Sequence, residues 1–144
     1  MTVYFNHESH VVMPNIDYYF DDRDPSILHA VHGPTTTWKD VYSKIELIQN
    51  VPRSKLSVVH VIFHLQDSGI IHDSMVGRFS TFATLFQNKR IGLRVFVYKG
   101  FEMNMILSLF LRTYPEFKTR LFVTPTADAA FTLIQREKGN YTIS

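Results

Sequence analysis

The clearest pattern along the chain is the alternation of side chains over residues 57–65, which read SVVHVIFHL. Successive residues of a strand point to opposite faces of a sheet. One face of this segment would carry Val59, Val61, Phe63 and Leu65, and the other Val58, His60, Ile62 and His64. Because both faces are largely apolar, the pattern predicts a central strand that helices cover on both sides.

The same reasoning predicts four further strands, over residues 11–20, 27–32, 91–98 and 121–123. The polar turn DDRDP, residues 21–25, separates the first two, which should pair as an antiparallel hairpin. Apolar residues recur every three or four positions in four other segments. They predict helices from Thr36 or Thr37 to about residue 50, over about 73–87 and 102–114, and onward from a Thr126 cap.

The order of these elements predicts the fold class. After the first two strands, helices and strands alternate, which is typical of right-handed crossovers in a parallel sheet. We therefore expect an α/β fold with a four- to six-stranded mixed, mainly parallel sheet flanked by helices. A chain of 144 residues without repeats or linkers fits a single domain over residues 1–144, with residues 1–9 loosely ordered.

One predicted helix is apolar on more of its surface than contact with a sheet requires. The residues able to face the sheet are Met103, Ile106, Leu107 and Phe110. Phe101, Met105 and Leu109 are left on other faces, and exposed apolar patches usually have a use. Three readings stay open: an interface with a partner, most simply a second copy; cover by the N-terminal segment; and a ligand-lined groove.

Composition argues against several functional classes. Lys and Arg number 15 against 13 Asp and Glu, and no dense basic run is present, so we expect no nucleic-acid partner. The absence of cysteine excludes disulfides, thiolate metal sites and cysteine nucleophiles. The first ten residues lack a signal-peptide pattern, and no stretch approaches 18 apolar residues. We expect a cytoplasmic protein without a membrane span.

No motif for catalysis, phosphate binding or metal binding is present. The sequence lacks GxSxG, GxGxxG, a Walker loop, HExxH and CxxC. His60 and His64 share a strand face and His29 could lie on a neighbouring strand, but four residues along a strand cover about 13 Å, too far for one ion. We therefore expect no enzyme activity, no cofactor and no metal, with the histidines in polar seams beneath helices.

Three segments together resemble the STAS and SpoIIAA-like domains, and the likeness is closest to short bacterial SpoIIAA-like proteins. They are VIFHLQDSGIIHDSMVGRF from residue 61, IGLRVFVYKG with the following helix that ends in LRTYP, and FVTPTADAAFTLI. The resemblance covers roughly residues 27–134. It implies a small α/β domain with a four- or five-stranded sheet and a regulatory role exerted through protein contact.

The chain departs from this group at its phosphorylation site. In the anti-sigma-factor antagonists, the helix after the central strand opens with Asp-Ser-Ser-Gly, and the second serine accepts a phosphate. The matching stretch here is DSMV, so Met75 occupies the acceptor position. We therefore expect Asp73 or Ser74 to cap the helix, and the alternative that Ser74 or Ser68 accepts a phosphate stays open.

We therefore expect a non-enzymatic regulatory or protein-interaction module that forms a homodimer and contacts a protein partner. The expected contact residues are Gln66, Asp67, Ser68, His72, Asp73 and Ser74 of the loop, and Phe101, Met105 and Leu109 of the helix. The alternative is a protein that binds a small apolar or lipid-like ligand, because the Phe- and Met-rich helices could line a pocket.

Overall fold

The structure is a computed structural model that describes residues 4–6, 10–13, 16–33, 58–65, 79–87 and 91–140. Within these ranges the strands are β1 (Tyr4–Asn6), β2 (His10–Met13), β3 (Ile16–Phe20), β4 (Ile27–His32), β5 (Val59–His64), β6 (Ile91–Val97) and β7 (Leu121–Thr124). The helices are α1 (Phe79–Phe86), α2 (Phe101–Thr113) and α3 (Ala127–Glu137), with 3₁₀ turns at Pro115–Phe117 and Lys138–Asn140. The predicted helix after Thr36 lies outside the described residues.

The described strands form one mixed sheet in chain order, from β1 to β7. β1 to β4 pair antiparallel, and β4 to β7 pair parallel. The five strands β3–β7 are mainly parallel and fall within the predicted range, and β1 and β2 extend the sheet beyond it. The α/β class with a mixed sheet and flanking helices is confirmed.

The predicted strand over residues 11–20 is wrong in one respect, because the structure divides it into β2 and β3. These two strands pair antiparallel with each other, Met13 opposite Ile16. The sequence between them is Pro14-Asn15, and proline has no N–H group to offer to a strand ladder. The predicted hairpin before β5 is formed by β3 and β4.

Each face of the sheet has its own apolar layer. The first, which we call the aromatic face, packs Val61, Phe63 and Phe96 against α1 and α2, chiefly through Phe82, Phe86, Met103 and Phe110. The second, the α3 face, packs Ile27, Ile62, Leu93, Val95 and Val97 against Ala130 and Ile134 of α3. The predicted central strand with apolar cover on both sides is therefore confirmed for β5.

Local signals explain where the helices begin and end. The Thr126 hydroxyl accepts a hydrogen bond from the backbone N–H of Ala129 at 3.1 Å, which confirms the predicted cap of α3. Gly100 precedes α2 with φ of 144°, a conformation that other residues rarely adopt. Pro115 follows the end of α2, as the pattern predicts.

One charged residue lies within the aromatic face. Arg94 of β6 is fully buried, and its guanidinium donates hydrogen bonds to the carbonyl oxygens of Gly92 and Phe86. Phe86 is the last residue of α1, where unpaired carbonyls give the helix end a partial negative charge. Arg94 therefore stabilises the end of α1 from inside the core.

Candidate functional site

Two features of the described residues go beyond what the fold needs: a chain of polar side chains on the α3 face, and an exposed apolar row on α2. The first, which we call the histidine cluster, consists of Asp21, His29 and His64. His29 lies in β4, and His64 is the last residue of β5. Strand register places Val31 beside His64 and Ile62 beside His29, so the two histidines are diagonal neighbours.

The histidine cluster is joined by two short hydrogen bonds. Nδ1 of His29 lies 2.8 Å from Nε2 of His64, and Nε2 of His29 lies 2.7 Å from Oδ2 of Asp21. The Tyr19 ring stacks on His29, with ring centroids 4.7 Å apart. The cluster therefore runs along the sheet from the amino end of β4, where Asp21 lies, to the carboxyl end of β5.

Asp21 is ionised over the whole neutral range. Burial opposes its ionisation, but hydrogen bonds from Arg23 and His29 outweigh burial and lower the pKa of Asp21 to about 2. The Arg23 side chain donates to Asp21 and also lies over the Phe131 ring of α3, 3.7 Å from its centroid. Arg23 thus fixes the carboxylate between the sheet and α3.

The carboxylate determines the direction of both hydrogen bonds when the histidines are uncharged. A carboxylate can only accept, so Nε2 of His29 must carry the proton that it donates to Asp21. Nδ1 of a neutral His29 is then an acceptor, and Nε2 of His64 must donate to it. This leaves Nδ1 of His64 without a proton and able to accept one.

His64 is half-buried, and burial is the main reason that its pKa is lowered to about 4; the positive charge that His29 can carry adds to the effect. His64 is therefore uncharged at neutral pH. Among the described residues none forms a hydrogen bond with Nδ1 of His64.

His60 shares the α3 face with the histidine cluster but has a structural role. Its Nδ1 accepts a hydrogen bond from the backbone N–H of Leu93 at 2.9 Å, next to an irregularity in the pairing of β5 with β6. Burial lowers the pKa of His60 to about 4. The unprotonated ring is therefore the form that pairs with the backbone of β6.

We predict that the protein loses stability as pH falls from about 6.5 to 4. The unfolded chain takes up protons at His60 and His64 near pH 6.5, whereas the folded chain does so only near 4. The two histidines contribute their full share of the folding stability above pH 6.5 and lose it between pH 6.5 and 4. The lowered pKa of Asp21 causes a further loss of stability only below pH 3.8. For buried His60 the effect is on the order of 3 kcal/mol. Urea unfolding at several pH values measures it, and a midpoint that is constant between pH 6.5 and 4 would contradict it.

The described histidines do not converge as metal ligands. No group of three or more His, Cys, Asp or Glu side chains in the described ranges could hold a metal ion. In the histidine cluster the ring nitrogens face each other and Asp21 directly at hydrogen-bond distance, so their lone pairs do not share a common point.

The second feature is a row of three apolar side chains on α2, which we call the α2 stripe: Phe101, Met105 and Leu109. Their exposed fractions are 68%, 55% and 42%. They line a shallow groove of about 350 Å³ together with Asn104, Ser108 and Arg112. The opposite side of α2 is held by Met103 and Phe110, which are buried, as predicted.

The described part of the N-terminal segment does not cover the α2 stripe. β1, β2 and β3 extend the sheet beyond β4, whereas α2 contacts β7 at the other end of the sheet. The predicted loop residues lie outside the described ranges: Gln66, Asp67, Ser68, His72, Asp73 and Ser74. Their role in contact stays a prediction.

The fold and these two features define a mixed α/β protein, and none of its described helices could span a membrane. Neither family models, nor curated proteins, nor solved structures match the chain.

Proposed function

We propose that the protein is a regulatory or protein-interaction module that forms a homodimer through the α2 stripe. The observation that carries the proposal is the distribution of exposed apolar side chains. Among the residues whose side chains the structure describes, all of them after Ile16, four large apolar side chains are exposed, and three of them form the α2 stripe. A continuous apolar row of this kind is typical of a contact surface, since single exposed residues would be scattered.

The spacing of the α2 stripe suits a second copy of the same helix. Phe101, Met105 and Leu109 follow one another at intervals of four residues, so they form a row about 12 Å long that is slightly inclined to the helix axis. Two such rows packed antiparallel about a two-fold axis would place Met105 at the centre of the interface. The flexible methionine side chain adapts to a symmetric contact.

Charge also favours the antiparallel arrangement. Arg112 lies at the far end of the groove from Phe101, the most exposed residue of the α2 stripe. In an antiparallel pair, Arg112 of each copy lies close to the Phe101 ring of the other, where a cation–π contact stabilises the ends of the interface.

The resemblance to the STAS and SpoIIAA-like domains, which is a resemblance of sequence pattern, also supports a role exerted through protein contact.

The double substitution Met105→Lys with Leu109→Lys is expected to convert the dimer to a monomer. Four lysines would meet in one apolar interface, so the dissociation constant should rise at least about 100-fold. The matched control is Ser80→Lys with Thr84→Lys, which adds the same charges at the same spacing on the exposed side of α1. Native mass spectrometry and sedimentation velocity give the chain number, and circular dichroism confirms folding.

Three results bear on the proposal. A dimer for the unaltered and control chains with a monomer for the stripe variant supports it. An unaltered chain that is monomeric at all concentrations, or a stripe variant that stays dimeric, contradicts it. A small-molecule adduct on the unaltered monomer, lost with the stripe variant, would instead favour the alternative of an apolar ligand in the groove.

A further inference from the structure

We infer that Asp21, His29 and His64 form a proton switch, in which the uptake of one proton changes Nδ1 of His64 from a hydrogen-bond acceptor into a donor. The proton switch goes beyond the proposed dimer and does not depend on it, because α2 packs on the aromatic face and the histidine cluster lies on the α3 face. It follows from the two hydrogen bonds that join the three side chains.

In the uncharged histidine cluster the two ring protons have fixed places. The Asp21 carboxylate can only accept, so one proton lies on Nε2 of His29 and the other on Nε2 of His64. Nδ1 of His64 then carries no proton. It forms no hydrogen bond with the described residues, and it is not closed off from solvent. The atom that the cluster offers to its surroundings is therefore an acceptor.

One further proton can enter the histidine cluster without breaking either hydrogen bond. When Nδ1 of His64 takes this proton, the proton on Nε2 of His64 can pass to Nδ1 of His29 across 2.8 Å. His29 then donates from both ring nitrogens, to Asp21 and to Nε2 of His64. His64 is uncharged again, but its proton now lies on Nδ1, which has become a donor.

The groups around the two rings determine that the added charge lies on His29. The charged and titratable groups that the structure describes near them come from β3, the turn after it, β4 and α3: Asp17, Tyr19, Asp21, Asp22, Arg23, His32 and Asp128. Of these, the Asp21 carboxylate is the opposite charge in direct contact, 2.7 Å from His29. Arg23 holds this carboxylate in place through its own hydrogen bonds. A positive charge is therefore more stable on His29 than on the half-buried ring of His64.

A second proton has a different effect from the first. It would charge both rings and set an N–H group of His64 against an N–H group of His29, so the hydrogen bond between them would break. Burial, together with the charge on His29, lowers the pKa of His64 to about 4. The first proton therefore reverses one hydrogen bond at a higher pH, and only the second proton disrupts the cluster.

The proton switch lies where it can control a contact. His64 ends β5, two residues before Gln66, the first residue of the predicted contact loop. Above the transition, Nδ1 of His64 suits an N–H or O–H group of a contacting molecule. Below it, the same atom suits a carbonyl or carboxylate oxygen. A change of pH thus selects the chemistry of the group that can bind at this position.

The first test uses the unaltered protein and follows the ¹⁵N chemical shifts of the histidine rings from about pH 8 to 4.5. At the upper end we expect the proton of His64 on Nε2. After the first proton is taken up, we expect it on Nδ1, with both ring nitrogens of His29 protonated. A proton on Nδ1 of His64 at the upper end would overturn the inference. So would a His64 ring that keeps its Nε2 proton throughout, or one that becomes doubly protonated in the first step.

The second test removes the charge that holds the proton on His29. Asp21→Asn is expected to shift the first step to lower pH by at least about one unit, because the amide accepts the same hydrogen bond without the charge. Asp22→Asn, the matched control, removes a charge from the exposed neighbouring position and should shift this step by less than about half a unit. Equal midpoints for the two variants would contradict the inference. If circular dichroism shows that Asp21→Asn does not fold, the chemical shifts of the unaltered protein decide.

Discussion

Replacing Phe110 with alanine is expected to lower the free energy of unfolding by about 3–5 kcal/mol, the cost typical of removing a buried phenylalanine. Phe110 is 1% exposed, and its ring lies within about 6 Å, between centroids, of four other aromatic rings. These rings belong to Phe79, Phe86, Tyr114 and Phe117. The substitution would therefore open a cavity where α1, α2 and the Pro115–Phe117 turn meet.

The adjacent residue provides the control for this prediction. Leu109 belongs to the α2 stripe and is 42% exposed, so Leu109→Ala in the monomer should cost well under about 1 kcal/mol. Urea unfolding at low protein concentration measures both variants. Equal losses for Phe110→Ala and Leu109→Ala would mean that α2 is not packed on the aromatic face as described.

Replacing Gly92 with alanine is expected to destabilise the fold by about 2–5 kcal/mol, through overpacking and a lost buried hydrogen bond. A Cβ atom on Gly92 would lie 2.5 Å from Nδ1 of His60 and 2.7 Å from a methyl group of Val58. Nδ1 of His60 is also the acceptor for the Leu93 N–H group. The new methyl group would displace the imidazole and leave that N–H group buried without a partner.

Gly139→Ala is the matched control, because nothing lies within 4 Å of a Cβ atom built on Gly139. We expect its free energy of unfolding to stay within about 0.5 kcal/mol of the unaltered chain. Thermal and urea unfolding distinguish the two variants. If Gly92→Ala were as stable as Gly139→Ala, the close approach of His60 to β6 would not be a constraint of the fold.

Several features of the fold could be predicted because they depend on local sequence. Side chains alternate between the two faces along β5 because this is a property of any strand, so the sequence alone predicted which side chains lie on which face. The Thr126 cap depends on residues three apart, and the spacing along α2 separated buried Phe110 from exposed Met105. The prediction of one strand over residues 11–20 was wrong because apolar alternation continues across the Pro14-Asn15 break.

The histidine cluster could not be predicted, although His29 and His64 stand out in the sequence. The contact of His29 with His64 depends on the register between β4 and β5, and the contact of Asp21 with His29 depends on the pairing of β3 with β4. Residues in register are direct neighbours, whereas His29 and His64 are offset by two positions. Without the register, the sequence predicted only that the histidines could share a face.

The sequence by itself determined the α/β class through the order in which strands and helices alternate. It also determined the faces of β5, the start of α3 and the position of the α2 stripe, because each of these follows from the periodicity or capping of one segment. Only the tertiary structure decided the strand pairing, the burial of Arg94, the need for glycine at position 92 and the hydrogen bonds of the histidine cluster. These depend on contacts between residues far apart in the chain, which local patterns do not encode.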